Sequence, residues 1–399
     1  METKTLNPSA PAGARLAYVD NIRWTVIAMV VLMHACVTYS GSGSWFYVER
    51  TTQDIASTLV FGIYQSFAQA FFMGLLFFLA GTLVPAAYDR KGFLRFVGDR
   101  AVRLGVPSLV FMLVLNSLTN IIRDTGTGGR VTWAGLLPVY RDFVVSGRFL
   151  EASGPLWFAV ALLVFSIVYA LVRLAAGLGQ GRTTRQPVAP RAFTARAINI
   201  GVCSLIALIA VIAFLIRLVQ PLGTSVMNMQ LGYFSSYVVL FIAGLWSGRN
   251  GFLQAIPAPI GRTWLWISVG VGLPLWMILQ GLGGALEGKR ELFSGGWHWQ
   301  AAGIAAWEAF FCVAFSIGLL TVYRERVNVK SRLTGLLSYT GFGAYTFHAP
   351  ILVGVSMLML SVAMHPLAKT LVVAGIAWVA SIAFAWLVRK IPGVGRLFA

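Results

Sequence analysis

The sequence predicts an all-α, polytopic transmembrane helical bundle of about ten spans with both termini cytoplasmic. Three observations carry that reading. The chain of 399 residues is 58% hydrophobic and only 11% charged, against about 25% charge in a soluble protein. Apolar runs of spanning length recur from end to end. The basic residues crowd into the short segments between those runs.

Taken in order, the apolar runs place spans at about 24–40, 58–84, 104–122, 155–176, 197–219, 231–247, 263–282, 300–322, 336–360 and 366–388. No small-residue cleavage site follows the first run, so it reads as an uncleaved first span. The second is long enough to tilt or to include an interfacial part. The stretch 131–152 mixes Trp133, Tyr140 and Phe149 with Arg130, Arg141 and Arg148 and reads as interfacial. With both ends inside, 22 of the 31 basic residues fall on the cytoplasmic side and nine outside. Residues 1–22 form a cytoplasmic tail and 23–399 a single membrane domain. Within it, 177-GLGQGRTTRQPVAPRAF-193 is a flexible cytoplasmic linker. No internal repeat is visible.

A net charge of +18 raises the question of nucleic acid. The distribution of that charge answers it, because the cations anchor loops at a lipid surface rather than form one patch. Cys36, Cys203 and Cys312 all lie inside apolar spans, an odd count with no pair in opposing loops. No disulfide framework and no metal site is expected from them.

Ionisable groups deep in a span are costly and are functional candidates by default. Three stand out. His34 lies in the outer half of span 1, Glu308 in span 8 and His348 in span 9, all between mid-membrane and the outer leaflet. Each also has a structural reading. His34 can bond a neighbouring helix. His348 can satisfy carbonyls freed by Pro350. Glu308 can be the buried partner of Arg217 or of a tryptophan N–H. His298 reads as aromatic-belt and His365 as outer loop. The loop 124-DTGTGGR-130 lacks the Lys-Ser/Thr ending of a P-loop and is a flexible turn.

A second constellation lies at the cytoplasmic side. In 90-RKGFLRFVGDRAVRLGVP-107, Arg100 and Arg103 stand at i and i+3 on one helix face. Such a pair can grip phosphate, although anchoring to anionic lipid explains it too. Arg23 joins them at the mouth of span 1. Ten residues lie between it and His34, eleven steps that make about 16 Å along a helix and close to three whole turns.

Along most of its length the chain resembles the acyltransferase-3 family of integral-membrane acyltransferases, which includes O-antigen and glucan O-acyltransferases. The resemblance rests on 19-VDNIRWTVIAMVVLMHA-35, with Arg23 and His34 in the family's Arg-x10-His signature. It continues through 71-FFMGLLFFLAGTLVP-85, 100-RAVRLGVP-107, 154-GPLWF-158 and 338-SYTGFGAYTFHAPI-351. The segments 307-WEAFFCVAF-315 and 324-RERVN-328 look like the sugar-acylating branch. The resemblance implies an O-acyltransferase in a bacterial inner (plasma) membrane. It would move a small acyl group from acyl-CoA (acetyl-CoA or succinyl-CoA) to a hydroxyl of a carbohydrate or glycolipid.

On that reading Arg23, Arg100 and Arg103 hold the phosphates, and the thin pantetheine arm spans the distance to His34. Neutral His34 is then the general base, with Glu308 or His348 orienting or relaying. Cys36 points about 200° away from His34 on an ideal helix, which favours direct transfer or a transient acyl-histidine over another nucleophile. The rival expectation is a proton-coupled transporter or permease using the same intramembrane His and Glu.

Overall fold

The computed structural model describes residues 16–49, 54–177 and 193–398. Among them, ten helices are long and apolar enough to cross a membrane. They are α1 (Ala17–Tyr39), α2 (Ile55–Lys91), α3 (Phe93–Gly126), α5 (Trp157–Ala175), α6 (Ala195–Val219), α7 (Phe234–Asn250), α8 (Ala258–Leu282), α9 (Trp299–Arg326), α10 (Arg332–Leu358) and α11 (Pro366–Val388). An eleventh helix, α4 (Trp133–Val145), precedes α5. Most of the cytoplasmic linker expected at 177–193 lies outside the described residues, as do residues 1–15 of the expected tail.

The ends of the helices show local causes. Asp54 caps α2, accepting from the Ser57 backbone N–H at 2.8 Å and the Ser57 hydroxyl at 2.6 Å. Those two bonds hold the Asp54 carboxyl down to about 2, so the cap stays charged and is lost only as pH falls through that value. At the other end the chain turns at Gly92, whose φ of +72° suits a glycine. Helix α1 begins seven residues before the apolar run at 24. Asn21 explains this. Its buried amide donates to the Val327 and Val329 carbonyls at 2.7 and 3.1 Å, and Asn328 Oδ1 accepts from the Tyr18 N–H at 3.2 Å. Polar residues thus staple the start of α1 to the loop after α9. That gives 324-RERVN-328 a structural task, reinforced by Arg324 donating to the Leu253, Gln254 and Ile256 carbonyls.

Helices α1, α2, α9 and α10 form the centre, while α6 and α8 turn most of their side chains outward. In lipid, helices associate by close packing rather than by apolar burial, so small residues decide the contacts. The α2–α7 interface shows this. A Cβ on Gly81 would meet the Phe241 carbonyl oxygen, one on Gly244 the Phe78 carbonyl, and one on Gly248 the Thr82 carbonyl. Backbone faces backbone and neither can yield. Gly244→Leu is therefore expected to cost at least about 1–3 kcal/mol, read as a lowered thermal midpoint in detergent. An unchanged midpoint would show that α2 and α7 part freely.

Two segments depart from regular helix. Helix α3 contains π-helical turns at Ala101–Gly105 and Phe111–Leu115. The segment expected to be interfacial packs back against α3. Helix α4 exposes Leu137, Val139 and Val145, and its Tyr140 hydroxyl donates to the Leu113 carbonyl at 3.1 Å. Leu113 lies about 20 Å before the end of α3, so the chain doubles back along that helix. It then reaches Pro155, whose carbonyl accepts a hydrogen bond from Tyr345 at the middle of α10.

Candidate active site

The two histidines predicted from the sequence meet. His34, in the last two turns of α1, stacks on His348 of α10 with ring centroids 5.3 Å apart and planes 17° apart. Packing of α1 against α10 and α2 brings this about. The Tyr64 hydroxyl of α2 donates to the Met29 carbonyl at 2.8 Å, bracing α1 one turn before His34. His348 Nε2 has no hydrogen-bond partner among the described residues, so no hydrogen bond joins it to His34.

His348 is fully buried. Its Nδ1 lies 2.7 Å from the Tyr345 carbonyl oxygen. A carbonyl only accepts, so Nδ1 carries the proton and Nε2 presents a bare lone pair. Nε2 is buried and has no hydrogen-bond partner among the described residues. The structural reading of His348, bonding to its own helix near Pro350, therefore holds for one nitrogen and leaves the other open for chemistry.

The shell around His348 is over-determined. Tyr345 stacks beside it at 5.8 Å and donates to the Pro155 carbonyl. The turn carrying Pro155 is held in its turn by Asn228, whose amide donates to Ser153 Oγ at 3.0 Å and to the Gly154 carbonyl at 2.9 Å. Asn228 and Met227 sit at φ +62° and +50°, a strained conformation for residues other than glycine. Sequence reasoning passed over Asn228 and Trp45, and gave Tyr345 no role beyond its place in 338-SYTGFGAYTFHAPI-351. Only tertiary contact reveals them, although 154-GPLWF-158 had marked where the first contact ends.

The three arginines also come together. Arg23, Arg100 and Arg103 lie close enough for the charges of Arg103 and Arg23 to act on Arg100. Arg100 packs its guanidinium over the Phe96 ring at 5.2 Å, which fixes its direction. Arg23 is half exposed, 3.8 Å from Asp20. The neighbouring Arg173 and Arg249 differ, since both pair with Asp89 at 3.1 and 3.5 Å and bond Tyr169. They tie α2, α5 and α7 together.

Glu308 does not join the histidines, so of the two residues expected to orient or relay only His348 stands beside His34. It accepts from Arg217 Nη2, and that guanidinium is 1% exposed against 16% for the carboxylate. Arg217 Nε also donates to the Gly232 carbonyl at 3.1 Å, and its charge sits over the Tyr233 ring at 5.4 Å. Glu308 faces α6 and α7, among Ile209, Ala213 and Ser235, because its position on α9 turns it away from α1. The alternative partner read from the sequence is the one it has. Among the described residues no group of three or more His, Cys, Asp or Glu could hold a metal ion.

No curated protein and no solved structure matches the chain. A family profile does: the one described as "Acyltransferase domain", Acyl_transf_3, matches residues 16–390. The ten spans and a match over nearly the whole length agree, and the chain belongs to the acyltransferase-3 family as an integral-membrane acyltransferase.

Proposed function

We propose that the protein transfers a small acyl group, acetyl or succinyl, from acyl-CoA to a hydroxyl of a carbohydrate or glycolipid. The observation that supports this best is the separation of two sites on one helix. Arg23, Arg100 and Arg103 gather at one end of α1, and the stacked histidines lie about 16 Å further along it. Three converging guanidiniums, two of them exposed, suit the several phosphates of coenzyme A. A thioester on a long thin arm can reach the histidines while its charged nucleotide stays in water.

His34 is the proposed general base. It is the less buried of the two rings, and the acceptor hydroxyl must reach the base directly. His348 lies beside it in a near-parallel plane and adds a second lone pair close to the base. By positive-inside charge the arginine end is cytoplasmic, which puts the acceptor on the outer side. The bacterial inner membrane is the compartment where such a sidedness serves envelope sugars.

The test is purified protein with radiolabelled acetyl- or succinyl-CoA and a surface-glycan extract. Label is expected in the glycan. Uptake of a solute by vesicles without label transfer would overturn the reading in favour of a permease. The double substitution Arg100→Ala/Arg103→Ala is expected to raise KM for the acyl-CoA at least tenfold with kcat within about twofold, since it removes ground-state binding. A fall in kcat at unchanged KM would place these arginines elsewhere in the cycle.

A further inference from the structure

Trp45 takes no part in the reading above, yet its ring packs more closely on His34 than that of His348 does. The chain leaves α1 through Gly41 and Gly43, at φ +66° and +97°, and turns back over the helix end. The indole of Trp45 then lies flat on the imidazole, with centroids 3.7 Å apart and planes 13° apart. His348 is within 6.2 Å of the same indole.

The loop is held just beyond Trp45, where it returns to the helices. The carbonyl of Phe46 accepts from Arg123 Nη1 at 3.2 Å. The Glu49 carboxylate takes two hydrogen bonds from the buried Lys369 ammonium, at 2.8 and 2.9 Å, and the Glu49 N–H donates to the Thr38 carbonyl at 2.8 Å. The stack is therefore a fixed contact.

Within it, the indole Nε1–H is buried and has no hydrogen-bond partner among the described residues. A buried donor without an acceptor is costly, and native proteins keep few of them. Because the ring lies flat on His34, its N–H points along the stack's edge and not into the imidazole. A donor in search of an oxygen thus packs against the proposed base, His34. A base and a donor side by side match the two reacting groups of an ester-forming transfer. A hydroxyl needs a lone pair to take its proton. A thioester carbonyl needs a donor for the charge its oxygen gains.

We propose that Trp45 is a catalytic residue whose indole N–H receives the carbonyl oxygen of the donor thioester. The proposal rests on the acyl-transfer reading. In the step, the acceptor hydroxyl oxygen attacks the thioester carbon and forms the new C–O bond. Its proton passes to His34, and the carbonyl electron pair moves onto oxygen, where the Trp45 N–H holds it. As the C=O re-forms, the C–S bond breaks. The CoA thiolate leaves with the bond's electrons and takes the proton from His34.

The experiment compares full-length wild type with Trp45→Phe in lipid nanodiscs. It follows CoA thiol release from acetyl-CoA with methyl glucoside as the hydroxyl probe. Phenylalanine keeps a flat ring against His34 and lacks the N–H. Loss of one such donor is expected to lower kcat about 10²–10³-fold with KM for acetyl-CoA and the thermal midpoint unchanged. A wild-type rate in Trp45→Phe overturns the proposal. So does a loss accompanied by a lowered midpoint, which marks Trp45 as packing only. Absence of thiol release from the wild type itself defeats the acyl-CoA reading, and the role of Trp45 with it.

Discussion

His34→Ala is expected to abolish acyl transfer while leaving acyl-CoA bound. Removing the base is expected to lower kcat by about 10²–10⁴-fold, while the dissociation constant for acyl-CoA stays within about twofold. The two outcomes separate because Arg23 and His34 stand about 16 Å apart on α1, with Arg100 and Arg103 at the Arg23 end. Nothing in the arginine cluster packs on His34, whose ring contacts are Trp45 and His348. Equilibrium binding of labelled acetyl-CoA and single-turnover transfer measured on the same preparation check both halves. Retained modification of cell-surface glycan by the variant would end the assignment of His34 as base.

Glu308→Ala unfolds the protein more readily than any loss of chemistry explains. The substitution leaves Arg217 as a charge only 1% exposed with its carboxylate gone. Breaking a buried ion pair from one side costs about 3–5 kcal/mol. Replacing both partners removes the orphan charge as well, so Arg217→Met/Glu308→Leu is expected to recover most of that loss. Thermal unfolding in detergent reads the first variant well below wild type and the second near it. If Glu308→Ala kept its midpoint and lost transfer, Glu308 would belong to the chemistry after all.

The spans were legible because lipid imposes a coarse rule, twenty apolar residues at a time, that composition reveals directly. The last span, 366–388, agrees to the residue with α11. The start of α1 was not legible, because Asp20 and Asn21 look like tail until the Val327 and Val329 carbonyls are seen to receive the Asn21 amide. The site was half legible. Deep histidines are rare enough to be singled out by cost alone, and they do meet. Cost alone cannot say which buried charge answers which, so Glu308 was grouped with the histidines while its partner, Arg217, sat 91 residues away in sequence. Trp45 was illegible for the opposite reason. A tryptophan beside a span end is ordinary at a membrane surface, and only the stack on His34 distinguishes this one.

The π-helical turns of α3 carry a consequence for how this chain is compared with others. Each wide turn holds one residue more than an α turn. The side chains α3 buries include Phe96, Leu104, Phe111, Leu115 and Thr119. From Phe96 to Thr119 is 23 residues, and six regular turns take up only about 22. The wide turns absorb the excess and help keep that stripe in phase. They act as insertions absorbed inside a helix without a loop to mark them. Deleting one would rotate everything beyond it by about 100°, swinging Phe111 and Leu115 off the bundle while Arg100 stayed in place. An ungapped alignment through residues 101–115 thus pairs side chains that point in different directions, and a relative lacking one π turn reads as conserved while facing elsewhere.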